Sequence, residues 1–148
     1  MAQGITREDA HSASLGALAD KMGISVIELG PRRSVMSMPV EGNTQSAGIL
    51  HGGATAVLGE TTGSFAGLTA APEGMVALGL DITVKHHRGV AAGDTLTCEA
   101  VCRHVGRSMA TYDLLFRNGA GEITASGSHT VVFRPAPHSS KGPTVGAE

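Results

Sequence analysis

The chain has 148 residues, a formal charge of −2, 3% aromatic residues and no tryptophan. That length suits one domain with a buried core. Near-neutral charge excludes the basic field of a nucleic-acid binder, and the scarcity of aromatics excludes a stacking platform for single strands.

Residues 1–23 read as an N-terminal segment with a short helix, because Leu15, Leu18 and Met22 recur at helical spacing before Gly23. This start lacks a basic stretch followed by an apolar run, and no segment reaches the roughly 20 apolar residues of a membrane span. A soluble cytoplasmic protein is therefore expected. Ile24 to Leu29 reads as a strand, Gly30-Pro31 as a turn, and Arg33 to Val40 as a second strand with Met36, Met38 and Val40 on one face. Glu41 to Gly48 is a polar loop.

His51 to about Ala70 reads as a long helix. Gly59, Gly63 and Gly67 recur every fourth residue and form one bare stripe. Each glycine costs a helix roughly 1 kcal/mol relative to alanine, so something must pack unusually close to that stripe. A curved sheet or another backbone is expected there, and the stripe would also let two such helices lie close.

The second half is strongly β. Val76, Leu78, Leu80, Ile82 and Val84 alternate with smaller or polar residues in a period of two. A strand over Asp94 to Val105 places Leu96, Cys98, Ala100 and Cys102 on one face, and Gly106-Arg107 turns. The two cysteines are too far apart to bridge within one strand and match no metal-ligand spacing, so both read as structural thiols. Ala110, Tyr112, Leu114 and Phe116 form the next inner face, Asn118-Gly119 signals a hairpin, and Ile123, Ala125, Gly127, His129, Val131 and Phe133 form the last. Residues 135–148 read as a frayed tail after a 24–134 domain. The class is α+β: one long helix against an antiparallel sheet whose other face meets solvent or another subunit.

The chemistry concentrates around Ile49-Leu50-His51-Gly52-Gly53 and Glu60. A helix N-terminus presents unpaired N–H groups and a positive dipole end, suited to an oxyanion. Glu60 supplies a carboxylate able to attack or to deprotonate. Val57, Leu58, Phe65 and the glycines around it argue against a purely solvent-facing position. Eight helical residues separate Gly52 from Glu60, a rise of about 12 Å. One carbonyl cannot touch both, since productive contact needs roughly 3 Å. A second, antiparallel copy of the helix would bring Glu60 of one chain to Gly52 of the other, predicting a homodimer with two shared sites. Ser64 lies one turn beyond Glu60, where its hydroxyl could orient the carboxylate or a water, and Gln45 could donate to the acyl oxygen. His51 reads either as an N-cap or as a core histidine.

Gln45 to Gly53, with Glu60 and Ser64, resembles the hotdog-fold acyl-CoA thioesterases, in particular the PaaI-like subgroup. This subgroup includes 4-hydroxybenzoyl-CoA thioesterases of the helix-glutamate type and 1,4-dihydroxy-2-naphthoyl-CoA hydrolases. The resemblance runs from about Ile24 to Arg134. It implies a long central helix wrapped by an antiparallel sheet, and dimers often paired into homotetramers. It also implies that the Gly52 N–H polarises the thioester carbonyl and that Glu60 of the partner chain is nucleophile or general base. Gln45 and His51 would position the thioester, and Ser64 would assist. His87 and Arg88 would lie near the substrate and CoA arm, and Arg107 and Ser108 near the nucleotide phosphates. Related members carry Asp where this chain has Glu60. The implied activity is hydrolysis of an acyl-CoA, with an aryl group favoured because Ala54, Ala66, Gly67 and Thr69 leave room for a ring. No metal or other cofactor is expected, coenzyme A being part of the substrate. Neither a nucleic-acid nor a membrane partner is expected. The rival readings are a non-catalytic acyl- or CoA-binding module and a thioesterase for carrier-protein-bound acyl groups.

Overall fold

A computed structural model describes residues 10–137. Most of the predicted tail, and the first nine residues of the N-terminal segment, lie outside that range. The elements are α1 (Ala17–Met22), β1 (Ser25–Glu28), β2 (Arg33–Pro39), α2 (Gly52–Ala70), β3 (Met75–His86), β4 (Thr95–Val105), β5 (Met109–Arg117) and β6 (Ile123–Pro135), in the predicted order. They form one antiparallel sheet in the order β1-β2-β4-β5-β6-β3, with α2 packed against it.

Alternation from Arg33 to Val40 and along β4 and β5 places the core as expected, whereas Ile123, expected on the inner face of β6, is exposed. Met36, Met38, Val40, Leu96, Cys98, Ala100, Ala110, Tyr112, Leu114 and Phe116 are all buried and belong to one cluster with Leu58 and Ala66 of α2. Gly23 ends α1 in the left-handed region, at φ 72. Asn118 closes the last hairpin by accepting the Ala120 and Glu122 N–H groups through Oδ1.

The glycine stripe meets the chain's own sheet. A β-carbon at Gly59 would lie 2.7 Å from Phe116 Cζ, one at Gly63 2.7 Å from His129 Cδ2, and one at Gly67 2.5 Å from Val131 Cγ2. The stripe therefore faces β5 and β6 and is not available for a second helix, which corrects half of the sequence expectation. Ala54, Ala66 and Thr69 are likewise buried within the chain. They open no slot for an aryl ring. Gly63→Ala should destabilise the fold: crowding His129 costs about 1–3 kcal/mol, more than the roughly 1 kcal/mol gained in helix propensity. Thermal unfolding followed by circular dichroism checks this, and a raised Tm would refute the close approach.

β3 departs from its simple alternation. Ala77 lies opposite Phe133 and Gly79 opposite Val131, but beyond a bulge at Leu80 it is Ile82 that lies opposite His129 and Val84 opposite Gly127. One extra residue reverses which parity faces the helix. Leu78 and Leu80 are consequently exposed, on a strand that forms the edge of the sheet.

Candidate active site

The start of α2 is built by His51. Its backbone is extended and its Nδ1 accepts the Gly53 N–H at 2.8 Å, while its carbonyl accepts the Ala54 N–H at 2.9 Å. His51 is thus an N-cap, and its neutral form carries the proton on Nε2. Capping leaves the Gly52 N–H, the first of the helix, without an intrahelical acceptor. The His86 imidazole packs over bare Gly52, with Nε2 3.0 Å from where a β-carbon would stand. A cavity of about 400 Å³ opens here, lined by Gln45, Ile49, Gly52, Thr55, His86, His87, Arg88 and Thr124 among others.

Five predicted residues therefore converge at one end of the helix: His51 caps it, and Gln45, Gly52, His87 and Arg88 line the cavity. Gln45 is held by its backbone, which accepts from Gly48 N–H and donates to the Ile49 carbonyl at 2.8 Å. His87 Nε2 pairs with Ser126 Oγ at 2.8 Å, and Arg88 with Glu122 at 2.7 Å. The second pair is exposed on both sides, the kind of contact worth at most about 1 kcal/mol. The guanidinium can exchange it for another anion. Arg107 and Ser108 sit at the far end of the sheet, in the turn from β4 to β5, where the Ser108 carbonyl accepts the Phe133 N–H. A single chain does not bring them to the cavity.

Glu60 and Ser64 open elsewhere, into a groove of about 330 Å³ between α1 and α2 lined also by Leu15, Leu18, Val57 and Phe65. Glu60 is exposed in the chain, contrary to the sequence expectation: Leu58 and the bare Gly59 and Gly63 turn to the core and sheet, whereas Val57 and Phe65 share the open groove with Glu60. Its Oε1 reaches across to bare Gly79 of β3, 3.1 Å from that residue's would-be β-carbon. Ser64 Oγ is not directed to Glu60. It is 3.0 Å from Nε2 of His129, whose Nδ1 lies 2.7 Å from the Asp81 carbonyl.

Sequence reasoning did not single out His86, which lines the cavity, or His129, which contacts Ser64. His86 adjoins His87 in a basic segment, but only strand phase after the Leu80 bulge turns it over Gly52. His129 was legible as an inner-face residue, an unusual place for an imidazole. Its hydrogen bonds are to residues 65 and 48 positions away. Cys98 is buried, and burial pushes its thiol up to about 12. It is an inert core thiol. Among the described residues no cluster of His, Cys, Asp and Glu could hold a metal, and no helix is long and apolar enough to cross a membrane.

A helix N-terminus with a free N–H at a cavity, a carboxylate further along the same helix, and a sheet wrapped around both define a hotdog-type acyl-transfer protein. Residues 47–125 match the family model of the thioesterase superfamily. The proofreading thioesterase EntH of Cronobacter turicensis is 35% identical over 120 residues, covering 79% of this chain and 85% of that protein. The thioesterase HI1161 of Haemophilus influenzae superposes with a TM-score of 0.76 at 28% identity, covering 84% of this chain and 87% of that one. The PaaI protein of the E. coli phenylacetic acid degradation operon does so with 0.72 at 26% identity, covering 85% and 94%. The chain belongs to the thioesterase superfamily and is a thioester hydrolase of the PaaI-like, hotdog type.

Proposed function

We propose that this protein hydrolyses aryl-CoA thioesters in a site shared between two copies of the chain. The observation that carries the reading is the separation of the two half-sites: the Gly52 N–H opens into one cavity and Glu60 into another. Each half is chemically incomplete. The edge strand β3, with Leu78 and Leu80 exposed, offers a surface for the second copy. A long apolar edge left uncovered is a liability that pairing removes. The resulting homodimer is the minimal unit, and pairing of dimers into a tetramer is compatible with it.

In this reading the thioester carbonyl oxygen sits at the Gly52 N–H, a donor of the kind worth roughly 2.7–4 kcal/mol to a developing oxyanion, and the helix dipole adds to it. Gln45 donates to the same acyl oxygen or holds the water. Glu60 of the second copy takes a proton from the attacking water, or attacks to give an anhydride that water then opens. Collapse of the intermediate breaks the C–S bond, and the CoA thiolate leaves with a proton. His87 and Arg88 flank the cavity mouth, where Arg88 can exchange Glu122 for a CoA phosphate. A role for Arg107 and Ser108 at the nucleotide would require their approach from another subunit. The short groove beside Glu60 is walled by Leu15, Leu18 and Phe65, which suits a ring packed against an aromatic edge better than a long alkyl chain.

Free-thiol release from benzoyl-, phenylacetyl-, dihydroxynaphthoyl- and medium-chain acyl-CoA tests the substrate class. We expect kcat/KM for the best aryl ester to exceed that for medium-chain esters by at least ~10-fold. Faster turnover of the same acyl groups on a carrier protein than on CoA would replace this reading by the carrier-linked one.

A further inference from the structure

We infer that His129 is a positioning residue of the hydrolytic centre: it draws the Ser64 hydroxyl proton toward the sheet, so that Ser64 offers lone pairs, not a donor, to the groove where Glu60 stands. This inference deepens the proposed hydrolysis and rests on it for its catalytic consequence. Its structural content stands alone.

Hydrogen-bond polarity fixes which atom carries each proton. The Asp81 carbonyl can only accept, so Nδ1 of His129, 2.7 Å away, must carry a proton. The bulge at Leu80 is what shifts β3 around Asp81, opposite Thr130. His129 is fully buried under Gly63, and burial holds its imidazole below the usual range. The hydrogen bond to the Asp81 carbonyl, and then the carboxylates of Glu60 from α2 and Asp81 from β3, pull the other way without outweighing burial. In the neutral ring Nε2 is then an acceptor, and the Ser64 O–H, 3.0 Å away, must donate to it. The Ser64 proton is thereby committed, and the remaining lone pairs of Oγ are all that Ser64 can offer to the groove.

The consequence is specific. Ser64 cannot stabilise the Glu60 carboxylate by donating to it. Two acceptors, Ser64 Oγ and the Glu60 carboxylate, instead line one groove. A water there can give one hydrogen to each and keep a lone pair free to attack. Gly63 is required for this arrangement, because a β-carbon would displace the His129 ring. His129 itself touches no reacting atom. It acts through Ser64.

The test has two arms. In the first, long-range 1H–15N NMR of imidazole-labelled full-length protein should show His129 as the Nδ1–H tautomer at neutral pH, with its Nε2 resonance moved by Ser64→Ala. An Nε2–H tautomer, a doubly protonated ring, or an Nε2 signal indifferent to Ser64→Ala would overturn the inference whether or not any thioester is hydrolysed. In the second, His129→Phe should lower kcat on the best CoA ester by about 10- to 100-fold with KM nearly unchanged, as for loss of alignment. Ser64→Ala should do the same, and the double variant should be no worse than either. His129→Gln, whose side-chain carbonyl can accept the serine proton, should regain most of the activity and guards against a folding defect in His129→Phe. Multiplicative losses in the double variant, or no recovery in a folded His129→Gln, would overturn the positioning role. Absence of wild-type activity on every CoA ester would instead count against the proposed function alone.

Discussion

Glu60→Ala should lower kcat by at least ~10²-fold while KM changes by less than about threefold. The carboxylate is the group on the open face of α2 that can take a proton from water or attack the acyl carbon, and either role is exercised in the transition state, not in binding. The side chain is exposed and belongs to no buried cluster. Truncation should therefore leave Tm within the small range typical of surface changes, so that lost turnover cannot be ascribed to unfolding. Steady-state kinetics beside a melting curve decides the matter. A variant with near-wild-type kcat removes Glu60 from the mechanism.

Gly52→Pro should reduce kcat by about 10²–10³-fold, the loss seen when one oxyanion donor is removed. Proline is favoured at the first position of a helix, where its missing N–H had no intrahelical partner and its fixed φ suits the turn. His51, the preceding residue, already has the extended backbone that proline demands, at φ −70 and ψ 130. The substitution thus deletes one N–H and retains the cap. Its ring presses on the far end of the exposed His86 side chain, so Gly52→Ala, which adds a similar contact but keeps the N–H, is the control and should stay far more active. Equal activity of the two variants would mean that the Gly52 N–H does not hold the oxyanion. The two defects can also be combined in trans. If each site takes Gly52 from one chain and Glu60 from its partner, random dimers of Gly52→Pro and Glu60→Ala subunits regain about a quarter of wild-type activity, since half are mixed and each mixed dimer has one intact site. Verified mixed dimers without recovery would place both groups in one chain's site or in none.

Local rules were enough for the elements themselves. The spacing of Leu96, Cys98 and Ala100, or of Ala110, Tyr112, Leu114 and Phe116, is a record of burial on one face of a strand, and each of these residues is buried. The run from His51 to Gly53 carried its own geometry, because a cap and the N–H groups it leaves free are set within one helical turn. Glu60 was legible as a lone carboxylate within an apolar helix but not as an exposed one. Its exposure depends on which side of α2 meets the sheet, and glycines every fourth residue say that something is near without saying what.

The amino-acid sequence by itself determined the order of helices and strands, the start of the long helix beside Gln45, and the presence of one carboxylate two turns along. It did so because those properties depend on neighbours within a few residues, through period and capping. Only the tertiary structure decided that the stripe of Gly59, Gly63 and Gly67 faces β5 and β6, and that the bulge at Leu80 reverses the phase of β3. It alone brought Ser64 to His129 and His129 to Asp81. These are contacts between distant segments, and their polarity follows from which lone pair meets which proton across the core, a matter that no periodicity along the chain can encode.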